Sequence, residues 1–256
     1  HNTLVVDKDP HFDHNVKAAD QFSGTPYCFL PGDTVQIMSA KELHAYEGVE
    51  MQRTMAVINI PELENPIIID LFSIQAPENT RYDLPLYYVG ALMSTNQEIE
   101  TNNSLTPMGT NDGYQHLWQE GQATLEGKSL AFTWFNHGKF FTMNADIREG
   151  DELLLTRIGA NDLNFNLRRD PGLIHRRKGG NTTFANLYEM HGYYDYASEI
   201  PINSYASVTD LEVLHESVNY VAIQFQLKSG GLYQFAFSLN DKQENSLHSI
   251  TTTTGQ

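Results

Sequence analysis

The sequence predicts an all-β protein, a large antiparallel β-sandwich. Short β-rich runs recur along its whole length, and Pro, Gly and Asn punctuate them. Amphipathic segments with a helical period over about ten or more residues are missing. One sandwich of ~200–250 residues can fill a chain of 256. No internal repeat and no clear linker divides it, so residues 1–256 are read as a single domain.

The elements follow in order. Residues 3–6 (TLVV) are a short apolar run, and residues 34–38 (TVQIM) alternate in period two. Glu47-Gly48 reads as a turn leading into a strand over residues 51–60, in which Arg53 needs a partner because a charge at an inward position is costly alone. Residues 67–72 (IIIDLF) form a continuous apolar run, the mark of a strand covered on both faces. Residues 129–133 and 139–143 flank Asn136-His137-Gly138 as a hairpin. Residues 152–158, 208–214, 220–227 and 232–239 read as further strands, the last two joined through Ser229-Gly230-Gly231. The polar tail, residues 251–256, reads as frayed or as an edge strand.

Hydrophobic residues make up 40% of the chain and charged residues 19%, a folded composition. No run of ~18 apolar residues exists to span a membrane, and no signal peptide is evident. The start at His1 without Met is what a mature or excised piece would show. Cys28 stands alone, so an internal disulfide is excluded, and between Tyr27 and Phe29 it reads as a small apolar side chain rather than a catalytic thiol.

Sixteen basic residues against 32 acidic give a net charge of −16, which argues against nonspecific nucleic-acid binding. A polyanionic ligand would be repelled at long range and would need a locally basic site. Arg168, Arg169, Arg176, Arg177 and Lys178 gather five of the sixteen basic residues, with His175 among them. The cluster reads either as such a site or as a solvated loop paired to nearby Asp and Glu.

Four constellations carry candidate chemistry. His1, Asp20 and His44 supply two imidazoles and a carboxylate, three legs of a tetrahedral zinc site with water as the fourth, and His11 and His14 are rivals for the imidazole positions. Residues 44–54 hold the Glu47-Gly48 turn and Arg53. Residues 111–118 (NDGYQHLW) combine an Asp-Gly turn with Tyr, His and Trp alternating on a strand, a stripe that suits a sugar face or a core. Residues 159–168 (GANDLNFNLR) form an Asn- and Asp-rich loop that satisfies its own backbone and delivers Arg168. Met190-His191-Gly192-Tyr193 follows a later strand.

Together the segments 1–7 (HNTLVVD), 45–58 (AYEGVEMQRTMAVI), 82–93 (YDLPLYYVGALM), 111–118, 132–142 (FTWFNHGKFFT) and 159–177 (GANDLNFNLRRDPGLIHRR) resemble the oligoalginate lyases, a family of heparinase II/III-like polysaccharide lyases. The likeness runs in order from residue 1 to about 200. It implies the C-terminal β-sandwich of a protein whose N-terminal α/α-toroid lies outside this sequence. It also implies β-elimination on a uronate, in which a base removes the C5 proton and an acid protonates the leaving O4. The toroid supplies most of those groups, and another catalytic His lies upstream of the HNT motif, so no catalytic residue is assigned here and this chain alone is expected to be inactive. The resemblance further implies a structural zinc on His1, Asp20 and His44, with Asp33 as the alternative to Asp20. Tyr27, His116 and Arg168 are the expected substrate contacts, Arg168 because its planar fork can bind both oxygens of a carboxylate. The expected partners are alginate-type acidic oligosaccharides, the toroid of the same chain and a possible homodimer mate, and the expected location is periplasmic or secreted. The alternatives are a carbohydrate-binding or structural sandwich without catalysis, and a lyase acting on another uronic-acid polymer.

Overall fold

The computed structural model describes residues 2–162 and 168–240. Its strands run in chain order as β1 (Val5–Val6), β2 (Thr25–Leu30), β3 (Val35–Tyr46), β4 (Val49–Ile58), β5 (Ile67–Gln75), β6 (Thr80–Tyr87), β7 (Ala91–Thr95), β8 (Glu100–Pro107), β9 (Leu117–Thr124), β10 (Ser129–Asn136), β11 (Lys139–Asp146), β12 (Glu152–Ile158), β13 (Pro171–Gly179), β14 (Thr182–Asp195), β15 (Ile200–Ile202), β16 (Val208–Glu216), β17 (Tyr220–Leu227) and β18 (Leu232–Ser238). Helical structure among the described residues is confined to single turns, at His11–His14, Val16–Ala19 and Tyr114–His116.

The strands form three antiparallel sheets. The first has the order β1-β6-β13-β12-β9-β8, the central one β2-β3-β4-β5-β14-β11-β10-β7 with β15 added on β14, and the third β16-β17-β18. The first sheet lies on one face of the central sheet. Leu4, Tyr82 and Leu84 meet Met51, Phe72 and Phe184 there, and Leu153 and Leu173 meet Phe132 and Met143. The third sheet covers the other face, with Leu211, Ile223 and Phe225 against Ile69, Leu71 and Leu187. Successive residues of a strand point to opposite faces. The two covers therefore explain why residues 67–72 lack alternation: Phe72 belongs to one core, and Ile69 and Leu71 to the other.

Most of the expected strands are present, several longer than their sequence signal. The run at 34–38 opens the long strand β3, and the hairpin at 136–138 turns with positive φ at His137 (46°) and Gly138 (80°), as a two-residue turn matched to strand twist requires. Two details differ. Tyr114 and His116 sit on a 3-10 turn ahead of β9 rather than alternating on it, and Gly113 (φ 89°) caps the start of that turn. Met190-His191-Gly192-Tyr193 lies inside β14 rather than after it. Cys28 is half-buried on β2. Residues 251–256 lie outside the described residues.

A buried ionic cluster links the three sheets. Arg177 on β13 donates to the Asp151 carboxylate at 2.7 Å through Nη2 and at 3.0 Å through Nε, and His175 Nε2 meets the same carboxylate at 2.7 Å. Arg177 Nη2 also donates to the Asp146 carbonyl of β11 at 3.2 Å. Asp146 in turn accepts from the Val213 backbone N–H of β16 at 3.0 Å.

The basic cluster at 168–178 is therefore not one solvated loop. Arg176, Arg177 and Lys178 lie on β13, where Arg176 grips Asp83 at 2.7 and 2.8 Å and Arg177 is buried.

Candidate functional site: the open face of the central sheet

The first sheet does not cover the whole of the central sheet's face. Residues paired across antiparallel strands share a face, so the register traces the open part. Phe29 pairs with Met38, Met38 with Met55, and Met55 with Asp70. The next row holds Val57, Ile68 and Tyr188. A third row runs Met190, Phe141, Trp134 and Leu92. On this face Phe29 is 75% exposed and Met38 56%. Val57, Ile68, Met190 and Leu92 are each more than a third exposed. The exposed members of these rows form apolar surface of the kind found at interaction sites, while Tyr188 and Trp134 pack against the core beneath the first sheet.

Arg53 stands beside these rows and Asp70 ends the first of them. The guanidinium donates to both carboxylate oxygens of Asp70, from Nε at 2.8 Å and Nη2 at 2.7 Å, and Nη1 donates to the carbonyl of Asn2 at 2.8 Å. The Asn2 side chain accepts from the Tyr87 backbone N–H at 2.8 Å, so the start of the chain is tied to both the central and the first sheet. The bonds to Asp70 raise the Arg53 pKa further. Burial first, and then the Asp70 carboxylate, push the phenol of Tyr188 up.

The sequence-predicted residues fall in three places. His44 lies near the end of β3, 53% exposed, and its ring stacks on Phe22 at 4.2 Å. Asp20 caps the short helix just before Phe22, so that stack brings the Asp20 and His44 segments side by side. His1 lies outside the described residues. Asp33 precedes the opposite end of β3, and the strand from Val35 to His44 spans roughly 30 Å at ~3.3 Å per residue, which removes Asp33 as a co-ligand of His44. His11 Nε2 is held by the Leu4 carbonyl at 2.8 Å and His14 Nε2 by Asp112 at 2.8 Å. Among the described residues, no group of three or more His, Cys, Asp or Glu stands together as metal ligands would.

His116 and Arg168 come together at one end of the first sheet. His116 Nδ1 meets the Ala160 carbonyl at 3.2 Å, and the His116 carbonyl accepts from the Gly159 backbone N–H at 2.9 Å. Arg169 Nη1 reaches the carbonyls of Gly159 and Arg168. Arg168 is 65% exposed and paired with Asp170. Tyr27 does not join them: it lies on β2 at the edge of the central sheet, and its hydroxyl meets Ser238 Oγ of the third sheet at 3.0 Å. Residues 163–167 of the Asn-rich loop lie outside the described residues.

Asp70, Tyr188 and the apolar rows were not singled out in the sequence. Asp70 carried a usable signal, because a lone carboxylate inside IIIDLF must find a cation and Arg53 is a strand-borne cation in need of a carboxylate. The rows carried none, since their members are scattered over eight strands.

Solved structures share this architecture. A heparinase III matches with a TM-score of 0.57 over 93% of this chain and 30% of its own, at 9% identity. A heparan sulfate lyase from Pedobacter heparinus matches with a TM-score of 0.56 over 95% of this chain and 31% of its own, at 8% identity. The fold is thus the one these heparinase-like proteins share, in keeping with the resemblance in the sequence motifs. By sequence it is a homologue of alginate lyases: it is 34% identical over 249 residues to an exo-oligoalginate lyase of Saccharophagus degradans and 33% identical over 254 residues to an alginate lyase of Stenotrophomonas maltophilia. These alignments take in 95% and 98% of this chain but 34% of each relative, so the chain spans about a third of the length of the curated relatives it matches. No protein-family model matches it. Among the described residues, no helix is long and apolar enough to cross a membrane.

Proposed function

We propose that this chain is the β-sandwich portion of an exo-type lyase that cleaves alginate oligosaccharides by β-elimination. The observation that carries the reading is the sequence match to an exo-oligoalginate lyase, at 34% identity over 95% of the chain. The open face is consistent with it, because exposed apolar side chains gathered on one sheet face are what a domain packed against a larger partner domain would present. The partner in this reading is an α/α-toroid of the same protein, which supplies the base and the acid. The β domain closes the cleft, with His116 and Arg168 toward the sugar and Tyr27, held by Ser238 at the sheet edge, away from them, and the protein works in the periplasm or outside the cell.

A structural zinc belongs to the same proposal. His44 and Asp20 suit it, being exposed and carried on segments joined by the Phe22–His44 stack. With His1 they would supply three legs of a tetrahedral site, and the metal would brace the sandwich rather than activate water.

The test is the ultraviolet absorbance of the unsaturated uronate formed when the whole protein meets alginate oligosaccharides. A rise with the whole protein and none with this domain alone is expected. No rise with either, but retained sugar binding, would favour a carbohydrate-binding sandwich. A rise only with heparin-like polymers would move the substrate to another uronic-acid chain, a reading that the heparinase-like fold keeps in view.

A further inference from the structure

The outer face of the first sheet gathers positive charge on a chain whose net charge is −16. Tyr82 and Leu84 of β6 pack toward the central sheet, so Arg81 and Asp83 point the other way. Arg81 pairs across the strands with Lys178, and Asp83 with Arg176, which puts all four side chains on that face. Asp83 is fully engaged: Arg176 grips both its oxygens, and Tyr114 donates to one of them at 2.5 Å. Glu152 stands 3.5 Å from the same guanidinium. The neighbouring pair has no such carboxylate. Like charges directly opposite one another destabilise a sheet, yet neither Arg81 nor Lys178 forms an ion pair among the described residues.

An unusual turn delivers a third cation. The Asp9 backbone N–H donates to the Val6 carbonyl at 2.8 Å and closes a turn whose central residues, Asp7 and Lys8, have φ of 51° and 68°. Such turns are ordinarily built from Asn and Gly, and a lysine held in the left-handed region is strained. The turn is fastened to β6: the Asp7 N–H donates to the Arg81 carbonyl, and the Asp7 carboxylate accepts from the Arg81 N–H, each at 2.8 Å. It holds the Lys8 ammonium 5.5 Å from the Tyr114 ring centroid. Burial first, and then the charges of Arg81 and Arg176, hold the Lys8 pKa below its ordinary value. Lys8 has no ion pair among the described residues either, and Arg81 Nε is buried there with no hydrogen-bond partner, a donor that is costly to leave unmet.

We infer that Lys8, Arg81 and Lys178 form a binding site for a tetrahedral oxyanion, phosphate or sulfate, free or carried as a monoester. A carboxylate would not use all three, because one guanidinium already occupies both oxygens of a carboxylate, as Arg53 does with Asp70 and Arg176 with Asp83. Cations brought from a turn and two strands suit a dianion whose oxygens point in different directions. Arg81 supplies the directed donors, and Lys8 and Lys178 act as point charges. The bound ion relieves the repulsion between β6 and β13 and ties the start of the chain to the first sheet. The site does not depend on which sugar the protein cuts, and a uronate is a ligand that it should reject.

Isothermal titration of the whole protein with inorganic phosphate and with sulfate, at constant ionic strength, tests this. Saturable binding of one ion per chain is expected, weakened about tenfold by Arg81→Gln and by Lys178→Gln. The second substitution alters an exposed side chain, so the fold is not at issue in it. Tighter binding of one ion than of the other identifies which tetrahedral group the site takes, and either order supports it. Acetate and free glucuronate should not compete. No saturation with either ion, binding untouched by both substitutions, or equal competition by a carboxylate overturns the proposal.

Discussion

Arg53 holds both oxygens of Asp70, at 2.8 and 2.7 Å, and with its remaining nitrogen holds the carbonyl of Asn2. Removing the guanidinium leaves Asp70, with a side chain only 3% exposed, without its cation. Arg53→Ala is therefore expected to cost on the order of 3 kcal/mol, the low end for breaking a buried pair because Arg53 itself is partly in water. Chemical denaturation of the domain measures this. A double change, Arg53→Leu with Asp70→Leu, should recover most of the loss, since it leaves no buried charge unpaired.

Acid should unfold the domain through the β12–β13 cluster. Burial lowers the pKa of His175, so the folded state keeps it neutral while the unfolded chain takes up a proton below about pH 6.5. Stability is thus lost as pH falls below that value. Asp151 adds a second loss: burial would raise its pKa, but His175 and Arg177 outweigh that and lower it to about 2. Its contribution is complete above the ordinary value near ~4 and fades as pH falls toward the folded value. Asp146, raised by burial, acts with the opposite sign and offsets part of this at low pH. The melting temperature should fall between pH 7.5 and 5.5, and His175→Gln should flatten that first portion of the profile.

The proposed zinc predicts that Asp20→Asn and His44→Ala each remove the metal found by elemental mass spectrometry after dialysis. His14→Ala should retain it, since that imidazole is engaged by Asp112. Loss of metal in His14→Ala with full retention in His44→Ala would assign the ligands to the rival set.

Charging the open face separates docking from folding. Phe29→Glu with Met38→Glu alters two side chains that are 75% and 56% exposed, so the isolated domain should melt within a degree or two of its parent, as surface changes of about 0.5 kcal/mol allow. Binding of a hydrophobic dye by the isolated domain should drop, and the whole protein should lose lyase turnover. A variant that keeps both dye binding and turnover would show that the face is not a contact surface.

The sandwich was legible because strand signals are local. The 136–138 and 229–231 turns and the alternation at 34–38 need only neighbouring residues. The Arg53 partner was half legible, as a demand without its answer, because Asp70 pairs with Met55 rather than with Arg53 across β4 and β5. The basic cluster misled in form: five cations in a short stretch look like an anion site, yet Arg176 and Arg177 are engaged by Asp83 and Asp151, carboxylates far away in sequence. The third sheet was foreseen as strands but not as a separate layer, since layering depends on which apolar faces meet. Of the proposed sugar contacts, His116 and Arg168 lie on segments joined through Gly159 and Ala160, whereas Tyr27 is held at the sheet edge by Ser238, far away in sequence.

Asp146 leaves the domain without a seam. Its backbone belongs to the central sheet, its carbonyl receives Arg177 of the first, and its carboxylate receives the Val213 amide of the third. No sheet can depart without exposing an ion or a donor that water must then re-solvate inside an apolar layer. Heat should therefore be absorbed in one cooperative event rather than sheet by sheet. Shortening the chain to discard the third sheet would give not a smaller sandwich but one whose central layer is stripped on its second side.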